Sequence, residues 1–516
     1  MKIFNTKSLF LLLVILLINN FGFAQPTIEW SVNYGGSESD VGLDMERTSD
    51  GRFIIAGWTE STNGDIGGNN GGQDGWVLIL DNEGNLDWEK NYGGSSDDFI
   101  TEINPTNDGG YIVVGSSTSD NGDVGGNNGD RDVWILKLDS EGAQEWSRNY
   151  GGSDEDEGRD VIQTADNGYA LLANSKSING DVEGNNGDVD FWILKVDNVG
   201  NIEWSKNYGG SDEDEVAAIK QTPDGGFLVA GSSRSSDGDV GENQGSNDCW
   251  IIKLDNEGNL EYKKHYGGTA NDEVNNMEET IDGGYILAGR TRSIDGDLEG
   301  TKGGRDGWVL KLDADANLEW SRNYGGSENE TATSVIQTIS GEYIVAGHTR
   351  SNDGDIGGNY GEEDGWVMRL TNDGNIDWVQ NFGGSDVDLS RNIIPITDDE
   401  FIILSWSLSD DVDLPANNGD SDIWVMKLTS TTTSTQTPDF NSKITVFPNP
   451  SNGQFTIDIN DLKTPMSVRI FDTIGNDFCR INEVSGPLTI GEVPKGNYLI
   501  QIVNEKSSIT RKLIVH

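Results

Sequence analysis

The fold of this chain can be predicted from residues 215–266, EVAAIKQTPDGGFLVAGSSRSSDGDVGENQGSNDCWIIKLDNEGNLEYKKHY. This stretch contains four strand-like runs, at residues 215–222, 227–235, 249–255 and 260–266, separated by turn-forming residues. Tight turns with the sequences PDGG and NEGN join the first run to the second and the third to the fourth. A glycine-rich loop joins the middle pair, and helical periodicity is absent. The stretch therefore predicts one four-stranded antiparallel sheet.

The same unit recurs every 58 residues along most of the 516-residue chain. Two columns of aromatic residues keep this spacing through seven copies. The first column contains Trp30, Trp88, Trp146, Trp204, Tyr262, Trp320 and Trp378. The second contains Trp76, Trp134, Trp192, Trp250, Trp308, Trp366 and Trp424. We expect both columns to form the core between neighbouring sheets, and the repeat predicts an all-β, seven-bladed β-propeller.

The two ends of the repeat region predict how the ring closes. Residues 28–34 form a lone fourth run, and the last repeat stops after a third run at residues 422–428. The N-terminal strand can therefore complete the seventh blade, which removes two exposed sheet edges. An open solenoid is the alternative, but nothing in the sequence resembles a capping repeat.

The repeat also resembles a known class of sequence. The pattern TxDGGYIVAG, DGWVLKLDxxGNxxW and YGGS is similar to propeller repeats of bacterial and archaeal surface proteins, and it covers residues 28–428. LDNEGNLDW, residues 80–88, also resembles the quinoprotein-type propeller repeat. This resemblance implies the fold, and it implies little about function because one fold carries many functions.

The C-terminal part of the chain has a different character. A Ser/Thr-rich linker, TSTTTSTQTPDFNS, occupies residues 429–442, and residues 443–516 contain short strand-like runs that predict a small β-sandwich. PNP follows an apolar run, GNY precedes another, and the terminus TRKLIVH is basic and apolar. These motifs resemble the C-terminal sorting domain of type IX secretion in Bacteroidota. The resemblance implies passage through the periplasm, recognition by the outer-membrane secretion machinery and removal of the domain on export.

The N-terminus and the charge restrict the setting in which the protein works. Residues 1–24 have a basic start, an apolar run at 9–18 and the sequence GFA before a cleavage site, which together predict a signal peptide. The predicted propeller follows at residues 25–428. No other segment is apolar enough for a transmembrane helix. The 88 acidic and 35 basic residues give a net charge of −53, which argues against nucleic acid as a partner. Cys249 and Cys479 fall in different predicted domains, so no disulfide is expected between them.

Acidic residues recur in the long loops, which we expect on one face of the ring. The loop before each blade repeats Asp40, Asp98, Asp156, Asp214, Asp272, Glu330 and Asp388. The glycine-rich loop repeats Asp65, Asp123, Asp181, Asp239, Asp297, Asp355 and Asp413, and later Asp74, Asp132, Asp190, Asp248, Asp306, Asp364 and Asp422. Carboxylates on glycine-rich loops suit calcium, so one ion per blade is one interpretation of the last two columns. The alternative is that these aspartates cap turns without metal, and no cofactor is required.

The end of the second run, unlike the rest of the repeat, changes from copy to copy. Where the ring closes, its variable residues predict a basic and aromatic arc inside an acidic protein. The arc contains Trp58, Lys176, Arg234, Arg290, Arg292, His348, Arg350 and Trp406. Arg and Trp recognise planar anions and sugar faces, so we expect this arc to bind a ligand. The alternative is that its bases balance nearby loop acids and its tryptophans pack where the ring joins.

The sequence contains no motif that predicts an enzyme. HExxH, GxSxG and Walker sequences are absent, and each acid in the loop columns recurs in every blade. We therefore expect a secreted or cell-surface binding and adhesion protein that engages a glycan or a protein through its long-loop face. A carbohydrate-active enzyme and a structural surface protein without a ligand are the alternatives. A deep central pocket with unmatched acids would favour the enzyme, and a shallow Trp/Arg arc would favour binding.

Overall fold

The computed structural model describes residues 25–430, except 299 and 416, and most strand residues between 444 and 515. The chain divides into two compact units, Met1–Thr431 and Thr432–His516. The predicted signal peptide, most of the predicted linker and the PNP motif lie outside the described residues. No helix in the described part of the chain is long and apolar enough to cross a membrane.

The first unit contains seven four-stranded antiparallel sheets, each corresponding to one blade. In six blades the four strands follow one another in sequence, from the innermost to the outermost. Their bounds are: blade one, β2 (Asp40–Arg47), β3 (Phe53–Thr59), β4 (Asp74–Leu80), β5 (Leu86–Tyr92); blade two, β6 (Asp98–Pro105), β7 (Tyr111–Ser117), β8 (Asp132–Leu138), β9 (Gln144–Tyr150); blade three, β10 (Asp156–Gln163), β11 (Tyr169–Ser175), β12 (Asp190–Val196), β13 (Ile202–Tyr208); blade four, β14 (Asp214–Gln221), β15 (Phe227–Ser233), β16 (Asp248–Leu254), β17 (Leu260–Tyr266); blade five, β18 (Asp272–Glu279), β19 (Tyr285–Thr291), β20 (Asp306–Leu312), β21 (Leu318–Tyr324); and blade six, β22 (Glu330–Gln337), β23 (Tyr343–Thr349), β24 (Asp364–Leu370), β25 (Ile376–Phe382).

The seventh blade closes the ring with a strand from the other end of the repeat region. It contains β26 (Asp388–Pro395), β27 (Glu400–Ser407), β28 (Asp422–Thr429) and the N-terminal β1 (Thr27–Tyr34). β1 and β28 pair antiparallel, from Thr27 opposite Thr429 to Tyr34 opposite Ile423. β2 of blade one packs against β26 and β27 of blade seven. The predicted seven-bladed propeller, closed by its N-terminal strand, is confirmed.

Each innermost strand contains a β-bulge near its middle. In blade one the register with β3 shifts between Gly42 and Asp44, and the equivalent shift occurs in all seven blades. A bulge re-aims the side chains around it and strengthens the local twist. The innermost strands thereby send side chains at and after the bulge into the central channel.

The two aromatic columns differ in burial. The tryptophans of the third strands, such as Trp76, are fully buried between blades, as expected. Those of the fourth strands are mostly half-buried, and only Trp378 is buried. Trp88 lies against the third-to-fourth-strand hairpin of the next blade, where a Cβ added to Gly142 would come within 2.7 Å of its ring. The fourth-strand aromatics thus pack at the edge of the core between blades, because the outermost strand has solvent on one side.

The second unit contains two small sheets. β29 (Ile444–Phe447), β30 (Phe455–Ile459) and β33 (Leu488–Ile490) form one sheet in the order β29-β30-β33. β31 (Met466–Asp472), β32 (Asp477–Val484), β34 (Gly496–Val503) and β35 (Ser508–Val515) form the other, in the order β32-β31-β34-β35. Residues of both sheets share one core, as in a β-sandwich. Cys249 is buried, and no disulfide joins it to Cys479 in the described part of the chain.

Candidate functional site

The long loops interlock on one face of the propeller. The backbone amide of Asp65 donates to the carbonyl of Gly35 at 3.2 Å, and the amide of Gly35 donates to Asp65 Oδ2 at 3.2 Å. The amide of Ser37 likewise donates to Asn63 Oδ1 at 3.0 Å. The loop before a blade and the glycine-rich loop of that blade are therefore one hydrogen-bonded layer, and we call this side the long-loop face.

The aspartates that begin the innermost strands hold this layer together. Asp98 accepts hydrogen bonds from the amide of Gly94 at 2.6 Å, from Ser119 Oγ at 2.7 Å and from Ser117 Oγ. Its side chain is fully buried, and burial raises its pKa while these hydrogen bonds oppose the rise. The equivalent acid has the same kind of partners in the other blades, which favours a structural role for this column.

The aspartates that begin the third strands leave one oxygen without a partner. Asp74 Oδ2 accepts from the amide of Asn70 at 2.6 Å, but Asp74 Oδ1 is buried and has no hydrogen bond. A Cβ added at Gly93 would lie 2.6 Å from Asp74 Oδ1 and 2.9 Å from Asp98 Oδ2, so only glycine fits between the two carboxyls. Burial, then the charges of Asp98 and Asp123, raise the pKa of Asp74 to about 6. The same orphan oxygen occurs in Asp74, Asp132, Asp190, Asp248, Asp306, Asp364 and Asp422.

These findings bear on the calcium interpretation in two ways. Within the described residues, no group of three or more acidic, histidine or cysteine side chains is arranged to hold a metal ion. Seven buried carboxylate oxygens without partners are nevertheless the kind of atom that a cation satisfies. The hydrogen bonds of Asp65 and Asp74 to backbone amides support the turn-capping alternative, and calcium stays a prediction.

Most cations of the predicted arc are paired with loop acids. Lys176 contacts Glu155 at 2.7 Å, and Arg234 and Arg290 form ion pairs with Glu213 and Glu273 in their own blades. This pairing fits the alternative that the bases balance nearby acids. The sequence alone could not identify the individual pairs, because the acids lie 17–21 residues earlier in the chain.

The tryptophans and the remaining cations of the arc have less regular surroundings. Trp58 and Trp406 are half-buried at the ends of β3 and β27, and no ring contact joins them in the part of the chain that is described. Trp406 Nε1 is buried without a hydrogen-bond partner. Arg292 and Arg350 are exposed, and Arg350 contacts Glu363 at 2.8 Å.

His348 is buried at the centre of a cationic cluster. Its Nε2 lies 3.5 Å from Glu363 Oε1. Burial, then the charges of Arg391, Arg305 and Arg290, lower its pKa to about 3, so the imidazole is neutral. The structure thus brings together His348, Arg290, Arg305 and Arg391 from three neighbouring blades. Of these residues, the sequence predicted only His348 and Arg290.

Two arginines that the sequence did not predict occupy equivalent positions on opposite sides of the ring. Arg159 and Arg391 occupy the bulge position of the innermost strands in blades three and seven, which are on opposite walls of a seven-membered ring. Arg391 Nε is buried and has no hydrogen-bond partner. Burial, then the charge of Arg159, lower the pKa of Arg391. We call this pair the mouth arginines.

The central channel contains an acidic cavity, and Arg391 is among the residues that line it. It has a volume of about 390 Å³ and is lined by the innermost strands. Asp44 accepts from the amide of Ile103 at 3.0 Å, and Lys220 contacts Glu278 at 2.9 Å. Glu46 and Glu102 form no ion pair with a described residue. Burial, then the charges of Asp44 and Glu278, raise the pKa of Glu46 to about 8. These charged residues could have been found from the sequence, because the positions of the innermost strand that they occupy differ from blade to blade.

The C-terminal unit matches a known family. Residues 445–516 match the secretion system C-terminal sorting domain, as the resemblance implied. The protein is therefore exported by type IX secretion to the cell surface or the surroundings, and the sorting domain interacts with the secretion machinery.

The propeller has more distant likenesses. The regulatory protein FlaEY of Caulobacter vibrioides is 23% identical over 210 residues, which cover 37% of this chain and 22% of that protein. PorZ, a surface component of the type IX secretion system of Porphyromonas gingivalis, aligns with a TM-score of 0.41 and 15% identity over 94% of this chain and 60% of PorZ. Puromycin hydrolase aligns with a TM-score of 0.43 and 10% identity over 84% of this chain and 64% of that enzyme. These likenesses carry no functional assignment.

Proposed function

We propose that this exported propeller is a non-catalytic binding protein that recognises an extracellular glycan through its long-loop face. The proposal depends on one observation: the residue at the end of the second strand differs from blade to blade, although the blades share one structure. At the end of the second strand, Trp58, Arg290, His348 and Trp406 occupy equivalent positions in four blades, while the strand residues before them stay buried. Aromatic side chains beside cations provide the stacking surface and the hydrogen-bond donors that sugars need.

Binding by the pair of tryptophans is the first test. The full chain is assayed against an array of neutral, carboxylated and sulfated glycans, together with the variant Trp58→Ala, Trp406→Ala. We expect the variant to lose binding and to keep its melting temperature, because both side chains are only half-buried. Tyr360→Ala is the matched control, since Tyr360 is an exposed aromatic residue of the glycine-rich loop in blade six.

Three outcomes would count against this proposal. If the double variant binds glycans as the parent does, the tryptophans are not part of the site. If it melts much earlier than the parent, the tryptophans are packing residues where the ring joins. If a protein is bound by the same face in place of any glycan, the ligand class is wrong.

A carbohydrate-active enzyme is the second candidate, and a specific observation favours it. The channel contains Glu46 and Glu102 without ion pairs, and burial raises the pKa of both. A carboxylic acid that keeps its proton near neutral pH is suited to act as a general acid on a glycosidic bond. The same glycans are therefore assayed for newly formed reducing ends. Cleavage that is lost in Glu102→Gln would replace binding with catalysis as the function.

A further inference from the structure

We propose that the ligand is an acidic polysaccharide, and that one of its carboxylate or sulfate groups binds between Arg159 and Arg391 at the mouth of the channel. This inference rests on the proposed function and names the class of glycan. It assigns the binding of charge to residues outside the predicted arc.

The bulge position of the innermost strand makes these two arginines different from their equivalents. In three other blades the residue at this position forms a hydrogen bond to neighbouring backbone. Thr101 Oγ1 donates to the carbonyl of Gly158 at 2.9 Å, Asn275 Nδ2 donates to that of Ala332 at 2.9 Å, and Thr333 Oγ1 donates to that of Ala346 at 3.2 Å. Arg391 has no such bond, and its Nε is buried without a hydrogen-bond partner.

The charges around Arg391 favour an anion as its missing partner. Arg159 contacts Glu157 at 3.1 Å, but no carboxylate of a described residue forms an ion pair with Arg391. Burial of Arg391 Nε without a partner is destabilising, and the like charge of Arg159 adds repulsion between the two guanidinium groups. An oxyanion between them removes both penalties, because a guanidinium matches carboxylate and sulfate geometry with two parallel hydrogen bonds. Such a pair is distinctive in a chain with a net charge of −53.

The carboxyl groups that line the cavity limit how far the anion can move along the channel. The strand runs from the long-loop face into the channel, so Arg391 precedes the positions of Glu46 and Glu102 along the channel wall. The other carboxyl groups that line the cavity, Asp44 and Glu278, repel an anion that moves deeper. The cavity of about 390 Å³ lies within the range of about 300–1,000 Å³ that is typical of ligand sites. It can receive the sugar, while the charge stays at the mouth.

The tryptophans of the same face favour a polysaccharide over an acidic peptide. Trp58 and Trp406 lie at the ends of second strands, on the face into which the channel opens. Half-buried indoles present flat apolar surfaces on which sugar rings stack. A chain of sugars that carries a carboxylate on one ring can therefore use the mouth arginines and the tryptophans at once.

The test compares charged and neutral probes by isothermal titration calorimetry with the full chain. The probes are a trigalacturonate, a sulfated disaccharide and a neutral cellotriose, each titrated into the parent and into Arg391→Gln. We expect Arg391→Gln to weaken the binding of the acidic probes about tenfold or more, as for a lost charge-assisted hydrogen bond. We expect no change for cellotriose. The carboxylated and sulfated probes show which oxyanion is preferred.

Matched variants separate charge at the mouth from folding and from overall charge. Arg52→Gln removes an arginine on the opposite, tight-turn face, where Asp50 and Asp87 are its partners, and it should not alter affinity. Arg159→Gln changes an exposed side chain and should weaken the same acidic probes even if Arg391→Gln lowers the melting temperature.

Equal affinity of the parent, Arg391→Gln and Arg159→Gln for trigalacturonate and the sulfated disaccharide would overturn the inference. If cellotriose binds as tightly as the acidic probes and is lost in Trp58→Ala, Trp406→Ala, the proposed function holds and the inference about charge fails. A hexaglutamate peptide that binds with the same dependence on Arg391, where the glycans do not, would overturn the polysaccharide class. If no probe binds to any form, both proposals fail.

Discussion

Between blades four and five, two departures from the repeat, Tyr262 and Ala316, compensate for each other in size. In five other blades a fourth-strand tryptophan such as Trp88 lies against a hairpin glycine of the next blade, where a Cβ would collide with the ring. Ala316 replaces that glycine in blade five, with φ of 55°, and the facing residue is Tyr262 instead of tryptophan. The smaller ring leaves room for the added methyl group.

We expect Tyr262→Trp to lower the melting temperature, because the larger ring would overlap the Cβ of Ala316. Overpacking of this kind costs about 1–3 kcal/mol. Adding Ala316→Gly should recover most of the loss, since glycine also accepts a positive φ without strain. Thermal unfolding of the two single variants and the double variant measures this coupling. Additive effects would mean that the two residues vary independently.

At the scale of elements, neighbouring blades are joined by a tyrosine at the end of the fourth strand. Tyr92 Oη donates to the carbonyl of Gly142 at 2.6 Å, and Tyr150 Oη donates to that of Gly200 at 2.5 Å. Phe382 occupies this position in blade six. The blade that follows it has no hairpin between its third and fourth strands, because β28 and β1 come from opposite ends of the repeat region. A hydroxyl at Phe382 would find no equivalent acceptor.

We therefore expect Tyr150→Phe to destabilise the propeller by about 0.5–1.5 kcal/mol, as for the loss of one hydrogen bond. Phe382→Tyr is the matched reverse change and should give no gain in stability. Urea unfolding followed by tryptophan fluorescence compares the two variants. A stabilising Phe382→Tyr would show that the seventh blade provides an acceptor after all.

The elements were predictable from the sequence to within about two residues, because strand alternation and turn residues repeat. In blade four, the predicted run at 215–222 is the strand Asp214–Gln221, and the run at 227–235 is Phe227–Ser233. Arg391 and Arg159 were not predictable as a site. The β-bulge breaks the alternation that tells which side chains face the channel, and their proximity arises only when the ring closes.

At the scale of the whole molecule, 53 excess negative charges repel one another, and cations should stabilise the ring. We expect calcium to raise the melting temperature of the full chain more than sodium chloride of equal ionic strength, because Asp74 and its equivalents each leave one buried oxygen unsatisfied. A chelator should reverse the rise. The measurement is differential scanning calorimetry in the three solutions.

Asp74→Asn provides a control for this effect, because it keeps the size of the side chain and removes the charge from one blade. The variant should show a smaller response to calcium than the parent. A response that sodium chloride reproduces in full would leave these aspartates as turn-capping residues, as their hydrogen bonds to backbone amides already suggest.

The strand that closes the ring also sets an order of events during synthesis. Thr27 and Thr429, which pair in the seventh blade, are 402 residues apart in the chain. At about 5–20 residues per second, β28 leaves the ribosome roughly 20–80 s after β1. Blades one to six each consist of four consecutive strands, but the seventh can form only when the last strand is available. A chain that stops early keeps complete blades and leaves β1 with a bare edge, open to proteases and aggregation. The ring can therefore close only when the whole repeat region, up to β28, has been synthesised.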